Sequence, residues 1–176
     1  GGKLMMQLPP MVEAITHLDM ENGPEGWRFL QGEMAPQPDD WEQDYHAMVL
    51  SLRDYLGKSG FTKVLLGLSG GIDSALVATI AADAIGAANV RCVMLPSEYT
   101  SGHSLEDAEA VAKALGCPYD TVPIEGPRDA VEAALAPLFA GTKPGIAEEN
   151  IQSRMRGLIL MAISNKFGGM LLTTGN

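Results

Sequence analysis

The junction Ser69-Gly70-Gly71-Ile72-Asp73-Ser74 constrains the fold of this chain more than any other stretch. Before it, Val64-Leu65-Leu66-Gly67-Leu68 has the unbroken hydrophobicity of a strand covered on both faces. After it, residues 75–85 are rich in Ala, Leu, Val and Ile without Gly or Pro, and read as a helix. Strand, glycine turn and helix in that order aim backbone N–H groups and a helix amino end at an anion. Two adjacent glycines let the backbone approach closely, and Ser69 and Ser74 add hydroxyls. Asp73 adds a carboxylate, which sits sensibly beside an anion when a divalent cation bridges the two. The junction therefore describes a pyrophosphate site with a metal. A tight strand–helix corner without a ligand is the plainer alternative.

The remainder of the chain repeats the alternation. Strands are expected at 63–68, 90–95, 120–124 and 170–173, and helices at 73–85, 104–115, 128–139 and 147–166. Strands separated by helices of this length predict an α/β fold, a doubly wound parallel sheet with helices on both faces. Ligands of such sheets lie beyond the carboxyl ends of the strands. The 69–74 loop, the 96–101 loop and the 173–176 segment all follow strands, so they should face one crevice.

The spelling of the loop narrows the ligand. A Walker loop needs Lys after its glycines, and a dinucleotide fingerprint needs spaced glycines; this loop has neither. S-G-G-x-D-S instead resembles the loop of the ATP pyrophosphatase superfamily, whose members activate a carbonyl or carboxylate with AMP.

Bulk properties exclude other classes. A formal net charge of −10 disfavours a nucleic-acid surface, whose affinity comes from neutralising phosphates, while a local backbone nest still binds phosphate on an acidic protein. No uncharged apolar stretch is long enough for a membrane span, and no secretory signal is visible. Cys92 and Cys117 form no C-x-x-C pair and read as buried, reduced thiols of a cytoplasmic protein. His17, His46 and His103 have no partners at metal-ligand spacing.

Residues 1–38 differ from the rest, with Pro9, Pro10, Pro24, Pro36 and Pro38, many glycines and little periodicity. They read as the tail of another domain and a linker. A helix follows, capped by Asp39 or Asp40 and ended by Gly57 or Gly60. Trp41, Tyr45, Met48, Val49, Leu52, Tyr55 and Leu56 make its apolar face, with area enough for a core or a partner subunit.

Two further stretches carry polar chemistry. Asn150, Arg154 and Gly157 recur at i, i+4 and i+7 and share a helix face, which suits a polar ligand with the guanidinium as a phosphate fork. The same spacing fits a solvated helix start with Glu149 imperfectly paired to Arg154. Thr173-Thr174-Gly175-Asn176 follows an apolar strand; its hydroxyls suit a nucleotide, or simply a strand exit. A parallel sheet rarely stops at a strand with no covering helix, so the domain is expected to be incomplete at its C-terminus.

S-G-G-I-D-S at 69–74, E-E-N-I-Q-S-R-M-R-G at 148–157 and L-L-T-T-G-N at 171–176, in this order, resemble the synthetase domain of the NAD⁺ synthetase family. Gln37 to Tyr45 is similar to the connector of its glutamine-dependent members, and residues 1–35 to the end of their nitrilase-like glutaminase domain. The resemblance implies a Rossmann-like fold of the adenine-nucleotide hydrolase type. It implies residues 1–38 as the glutaminase tail and linker, and 39–176 as the ATP-binding part of the synthetase domain.

It further implies that Gly67, Leu68, Ser69, Gly70, Gly71, Ile72, Asp73, Ser74 and Thr174 bind ATP. Asp73 would hold Mg²⁺, Ser69 and Asp73 would serve catalysis, and Asn150 and Arg154 would contact deamido-NAD⁺. The implied reaction adenylates the nicotinate carboxylate and displaces AMP with ammonia derived from glutamine. The glutaminase Glu, Lys and Cys are absent, as is the acidic residue that follows T-T-G-N in the family, so this stretch alone is expected to be inactive. A homo-oligomer without nucleic acid or membrane partners is expected. The alternatives are a guanylate-synthetase type of ligase, and a non-catalytic nucleotide-binding and dimerisation module.

Overall fold

The computed structural model describes residues 2–174. The chain forms two compact units, Gly1–Leu50 and Ser51–Asn176. In the first, β1 (Met20–Gly23) and β2 (Gly26–Phe29) form an antiparallel hairpin that the sequence pattern did not suggest. Pro24 and Glu25 make its two-residue turn, and Gly26 takes φ +100°. The strands are four residues each and β2 is exposed throughout, so no apolar alternation marks them, and Arg28 pairs with Glu21 across them.

Helix α1 (Asp40–Ser59) runs across the boundary between the units. Asp39 caps it, its carboxylate accepting the Glu42 N–H at 2.9 Å. The expected seven-residue stripe is only partly covered. Val49 and Leu56 are buried and Tyr45 and Leu52 half-buried, whereas Trp41, Met48 and Tyr55 are exposed. At 100° per residue the covered four lie within one arc, and the other three on its flank.

The second unit is the α/β body. Its elements are β3 (Val64–Gly67), α2 (Ile72–Ile85), β4 (Val90–Met94), α3 (Gly102–Leu115), β5 (Tyr119–Thr121), α4 (Glu125–Phe139), α5 (Ile146–Phe167) and β6 (Met170–Leu172). The strands are all parallel, in the order β5-β4-β3-β6.

Strand alternation divides the core into two layers. Val64, Leu66 and Leu68 of β3 and its exit join Val90, Cys92 and Met94 of β4 on one face. There they pack with Leu56 of α1, Ala78 and Ala81 of α2 and Ala108 and Ala112 of α3. Leu65, Val93 and Leu95 face the other way, against Ile124 and the half-buried Ile159, Leu160 and Ile163 of α5. Both faces are therefore covered, which is why these strands lack an apolar–polar alternation. Leu66 is fully buried, and truncating such a side chain to Ala costs about 2–5 kcal/mol.

Boundaries departed from expectation at two prolines. The strand expected at 120–124 occupies Tyr119–Thr121. Pro123 has no N–H for a ladder, although Val122 and Ile124 on either side still donate to Met94 O and Pro96 O. The helix expected from residue 128 begins at Glu125, because Pro127 falls in the first turn, where no intrahelical donor is needed.

Candidate functional site

The chain order moves from β3 outward to β4 and β5, then returns to the opposite side of β3 with β6. The winding thus reverses between β3 and β6, and at that switch the loops after the two strands separate to leave a crevice. The structure has a crevice of about 650 Å³ there. It is lined by Gly67 at the end of β3 and Leu68 and Ser69 after it, by Tyr99, Thr100 and Ser101 after β4, and by Thr173 and Thr174 after β6. Helix α5 supplies Ser153, Arg156 and Gly157.

The 68–74 loop holds itself in shape. Ser74 is 2% exposed; its hydroxyl accepts the Ser69 N–H at 3.2 Å and donates to Gly71 O at 3.0 Å. The Ser69 hydroxyl lies 3.1 Å from it and accepts the Gly71 N–H at 3.3 Å. Gly70 takes φ +79°, and a Cβ there would stand 2.4 Å from Ser104 O, in the first turn of α3. The Ser101 side chain caps α3, accepting the Ser104 N–H at 3.1 Å. No side chain caps α2, whose N-cap is Gly71. A turn of this kind beside a helix amino end is a cradle for an anion.

The sequence candidates separate in space. Gly67, Leu68, Ser69 and Thr174 line the crevice together. Leu68 is buried and its N–H donates to Val93 O, so it offers the crevice backbone rather than a side chain. Gly70, Gly71, Ile72, Asp73 and Ser74 complete the turn outside the lining, with Ile72 and Asp73 exposed in the first turn of α2. Gly175 and Asn176 lie outside the described residues.

Asn150 and Arg154 are exposed and not part of the lining; Arg154 donates to Asn150 O at 3.3 Å. The side of α5 that packs on the sheet carries Ile159, Leu160 and Ile163. Continued back by one turn, that stripe reaches Arg156, with Gly157 on its flank, while Arg154 lies on the opposite side of the helix.

Arg156 is the residue that sequence reasoning passed over. Its Nε donates to Leu95 O at 3.1 Å and its Nη2 stands 3.5 Å from Ser97 Oγ. Among the described residues it is the only charged side chain lining the crevice. The signal that finds it is the i−3 and i−4 relation to Ile159 and Leu160.

Among the described residues no cluster of three or more His, Cys, Asp or Glu could hold an ion. Asp73 beside the turn suits Mg²⁺, which is commonly bound by one or two carboxylates together with substrate phosphates. Away from the crevice, burial pushes the Cys92 thiol up to about 12 and also raises Cys117, so neither is poised as a nucleophile.

A parallel α/β domain with a self-bonded glycine turn and a hydroxyl-rich crevice at its switch point defines a doubly wound α/β protein with a ligand-type crevice at the carboxyl ends of its strands. The family profile described as NAD synthase matches residues 44–176, and the chain belongs to that family. It is 65% identical over 175 residues, 99% of its length, to a glutamine-dependent NAD(+) synthetase of Rhodobacter capsulatus. It is 54% identical over 178 residues to the one of Synechocystis, again covering 99% of the chain. The chain spans 32% of the first relative and 31% of the second, about a third of their length.

Among solved structures it is similar to the glutamine-dependent NAD+ synthetase of Acinetobacter baumannii in complex with ADP, with a TM-score of 0.82 and 44% identity. That match covers 84% of this chain and 28% of the other. The NH3-dependent NAD synthetase of Campylobacter jejuni aligns with a TM-score of 0.70 at 28% identity, covering 79% of this chain and 58% of that one.

Proposed function

We propose that this chain is the ATP-binding part of a glutamine-dependent NAD⁺ synthetase, with residues 1–38 as the tail and linker of a glutaminase domain. The observation that carries the reading is the Ser69–Ser74 turn at the β3/β6 switch, whose first residue, Ser69, lines one crevice together with the two threonines after β6. The relatives named for glutamine-dependent synthesis match over 99% of the chain, including the segment before residue 44, which supports the glutaminase origin of that segment.

The chemistry suits the residues. A carboxylate is a poor electrophile. Attack of the nicotinate carboxylate of deamido-NAD⁺ on the α-phosphorus of ATP makes an acyl adenylate and releases pyrophosphate. Ammonia then attacks the acyl carbon, its surplus proton leaves to solvent, and AMP departs with the C–O bond electrons. Ser69 and the turn's N–H groups would hold the pyrophosphate, and Ser74 would act from beneath by fixing the turn. Thr174 would bind the nucleotide, and Asn150 and Arg154 would meet the dinucleotide outside the crevice. Asp73 would hold Mg²⁺, which neutralises charge developing on the phosphates.

No helix among the described residues is long and apolar enough to cross a membrane. The two buried free thiols accord with a cytoplasmic enzyme. Leu158 and Met161, 61% and 47% exposed on α5, accord with a homo-oligomer.

The test is exchange of labelled pyrophosphate into ATP by the full-length protein. Exchange should require both Mg²⁺ and deamido-NAD⁺ and fall at least about tenfold in Asp73→Ala. Exchange that is independent of deamido-NAD⁺, or equal in the variant, contradicts the reading.

A further inference from the structure

Arg128, in the first turn of α4, is 9% exposed. Its Nη2 donates to Asp129 Oδ1 at 2.8 Å, and its Nε lies 3.7 Å from Glu132 Oε1. Those neighbours on its own helix would suffice for a surface arginine. Yet its Nη1 also reaches thirty residues back along the chain to donate to Glu98 Oε1 at 2.7 Å. Glu98 is in the loop after β4, immediately before the three residues that wall the crevice.

The rest of that loop is held by hydrogen bonds from both side chains and backbone. Arg156 holds Leu95 O, the Ile124 N–H donates to Pro96 O at 3.0 Å, and Ser97 and Thr100 close a turn on each other. Beyond the turn, Ser101 is committed to capping α3. Glu98 and Tyr99 lie at the apex between these anchors. Tyr99 faces the crevice and is 77% exposed, while Glu98 is drawn to α4.

We propose that Arg128 is a positioning residue for the crevice: through Glu98 it fixes the Tyr99-Thr100-Ser101 wall and keeps the Glu98 carboxylate away from an anionic ligand. The proposal rests on the reading of the crevice as the ATP site. A charged pair with one buried member fixes the direction of the Glu98 side chain at the apex, which the Ser97–Thr100 bonds on either side of it do not hold. An unpaired carboxylate at the rim would also repel the phosphates.

The experiment measures ATP dependence of pyrophosphate release by the full-length protein with deamido-NAD⁺ and Mg²⁺ saturating. Wild type is compared with Arg128→Ala, Glu98→Ala and the double variant. Each single change is expected to raise KM for ATP about fivefold with kcat retained, and the double change to be no worse than the worse single. Glu98→Ala keeps the test sound even where Arg128→Ala fails to fold, because Arg128 then still has Asp129. Wild-type KM in a folded Glu98→Ala variant, with only the melting temperature moved, overturns the proposal; so do additive effects in the double variant. A wild-type protein that does not use ATP removes the crevice reading and the clamp with it. A wild type that uses ATP beside variants of unchanged KM removes the clamp alone.

Discussion

Gly70 packs directly on the backbone of Ser104, where a Cβ would lie 2.4 Å from the carbonyl oxygen and 2.8 Å from the Cα. The phosphate-type turn and the amino end of α3 are thus in contact through backbone. Gly70 is needed twice, for its φ of +79° and for this approach. Gly71 differs: its φ is −87° and a Cβ would meet only Ser69 Oγ at 3.4 Å. Gly70→Ala is expected to cost about 1–3 kcal/mol in denaturant unfolding and to abolish measurable ATP binding by calorimetry, whereas Gly71→Ala costs less than about 1 kcal/mol. Equal losses in the two variants would contradict the packing account.

Ser69 and Ser74 share a hydrogen bond but have separable tasks. Ser74→Ala leaves the Ser69 N–H and Gly71 O without their buried partner, and should lower stability by about 1–2 kcal/mol. Ser69 is exposed, so Ser69→Ala should leave the melting temperature close to wild type while weakening ATP binding. Thermal scans paired with titrations distinguish them.

Much of the α/β body was legible because the β3 and β4 segments are apolar on both faces and the helices between them carry clear breakers. The meeting of the segments after β3, β4 and β6 at one crevice followed from topology, since a loop after a parallel strand has only one end of the sheet to occupy. Arg156 is not legible within the E-E-N-I-Q-S-R-M-R-G stretch itself, where Asn150, Arg154 and Gly157 make the evident polar face; the sheet-facing stripe of Ile159, Leu160 and Ile163 sets the direction instead. The Arg128–Glu98 pair was invisible for another reason. A bond between residues thirty apart depends on how α4 docks beside the loop after β4, and no local pattern encodes that. The β1–β2 hairpin is short and exposed, so it left no hydrophobic period to read.

The two arginines of that stretch should separate kinetically. Arg156→Ala removes the donor to Leu95 O and the crevice's charged side chain, and should raise KM for ATP about tenfold or more. Arg154→Ala should leave KM for ATP unchanged and raise that for deamido-NAD⁺. Steady-state titration of each substrate in both variants checks this, and the opposite pattern would contradict both assignments.

Cys92 predicts a pH dependence. Its thiol is pushed up from 9.0 to about 12 by burial, so between those values the unfolded chain releases a proton that the folded one retains. The unfolded state then binds fewer protons, and stability falls as pH rises through that window. Urea midpoints between pH 8 and pH 10.5 should fall less in Cys92→Val than in wild type. Identical slopes would mean that the thiol does not contribute.

The central claim is tested most directly by supplying the full-length protein with ATP, Mg²⁺, deamido-NAD⁺ and glutamine labelled with ¹⁵N at the amide, and identifying every product. The account predicts NAD⁺ carrying ¹⁵N in its carboxamide, formed in equal amount with AMP and pyrophosphate. ADP and phosphate as the nucleotide products, or AMP release with no conversion of deamido-NAD⁺, would contradict it.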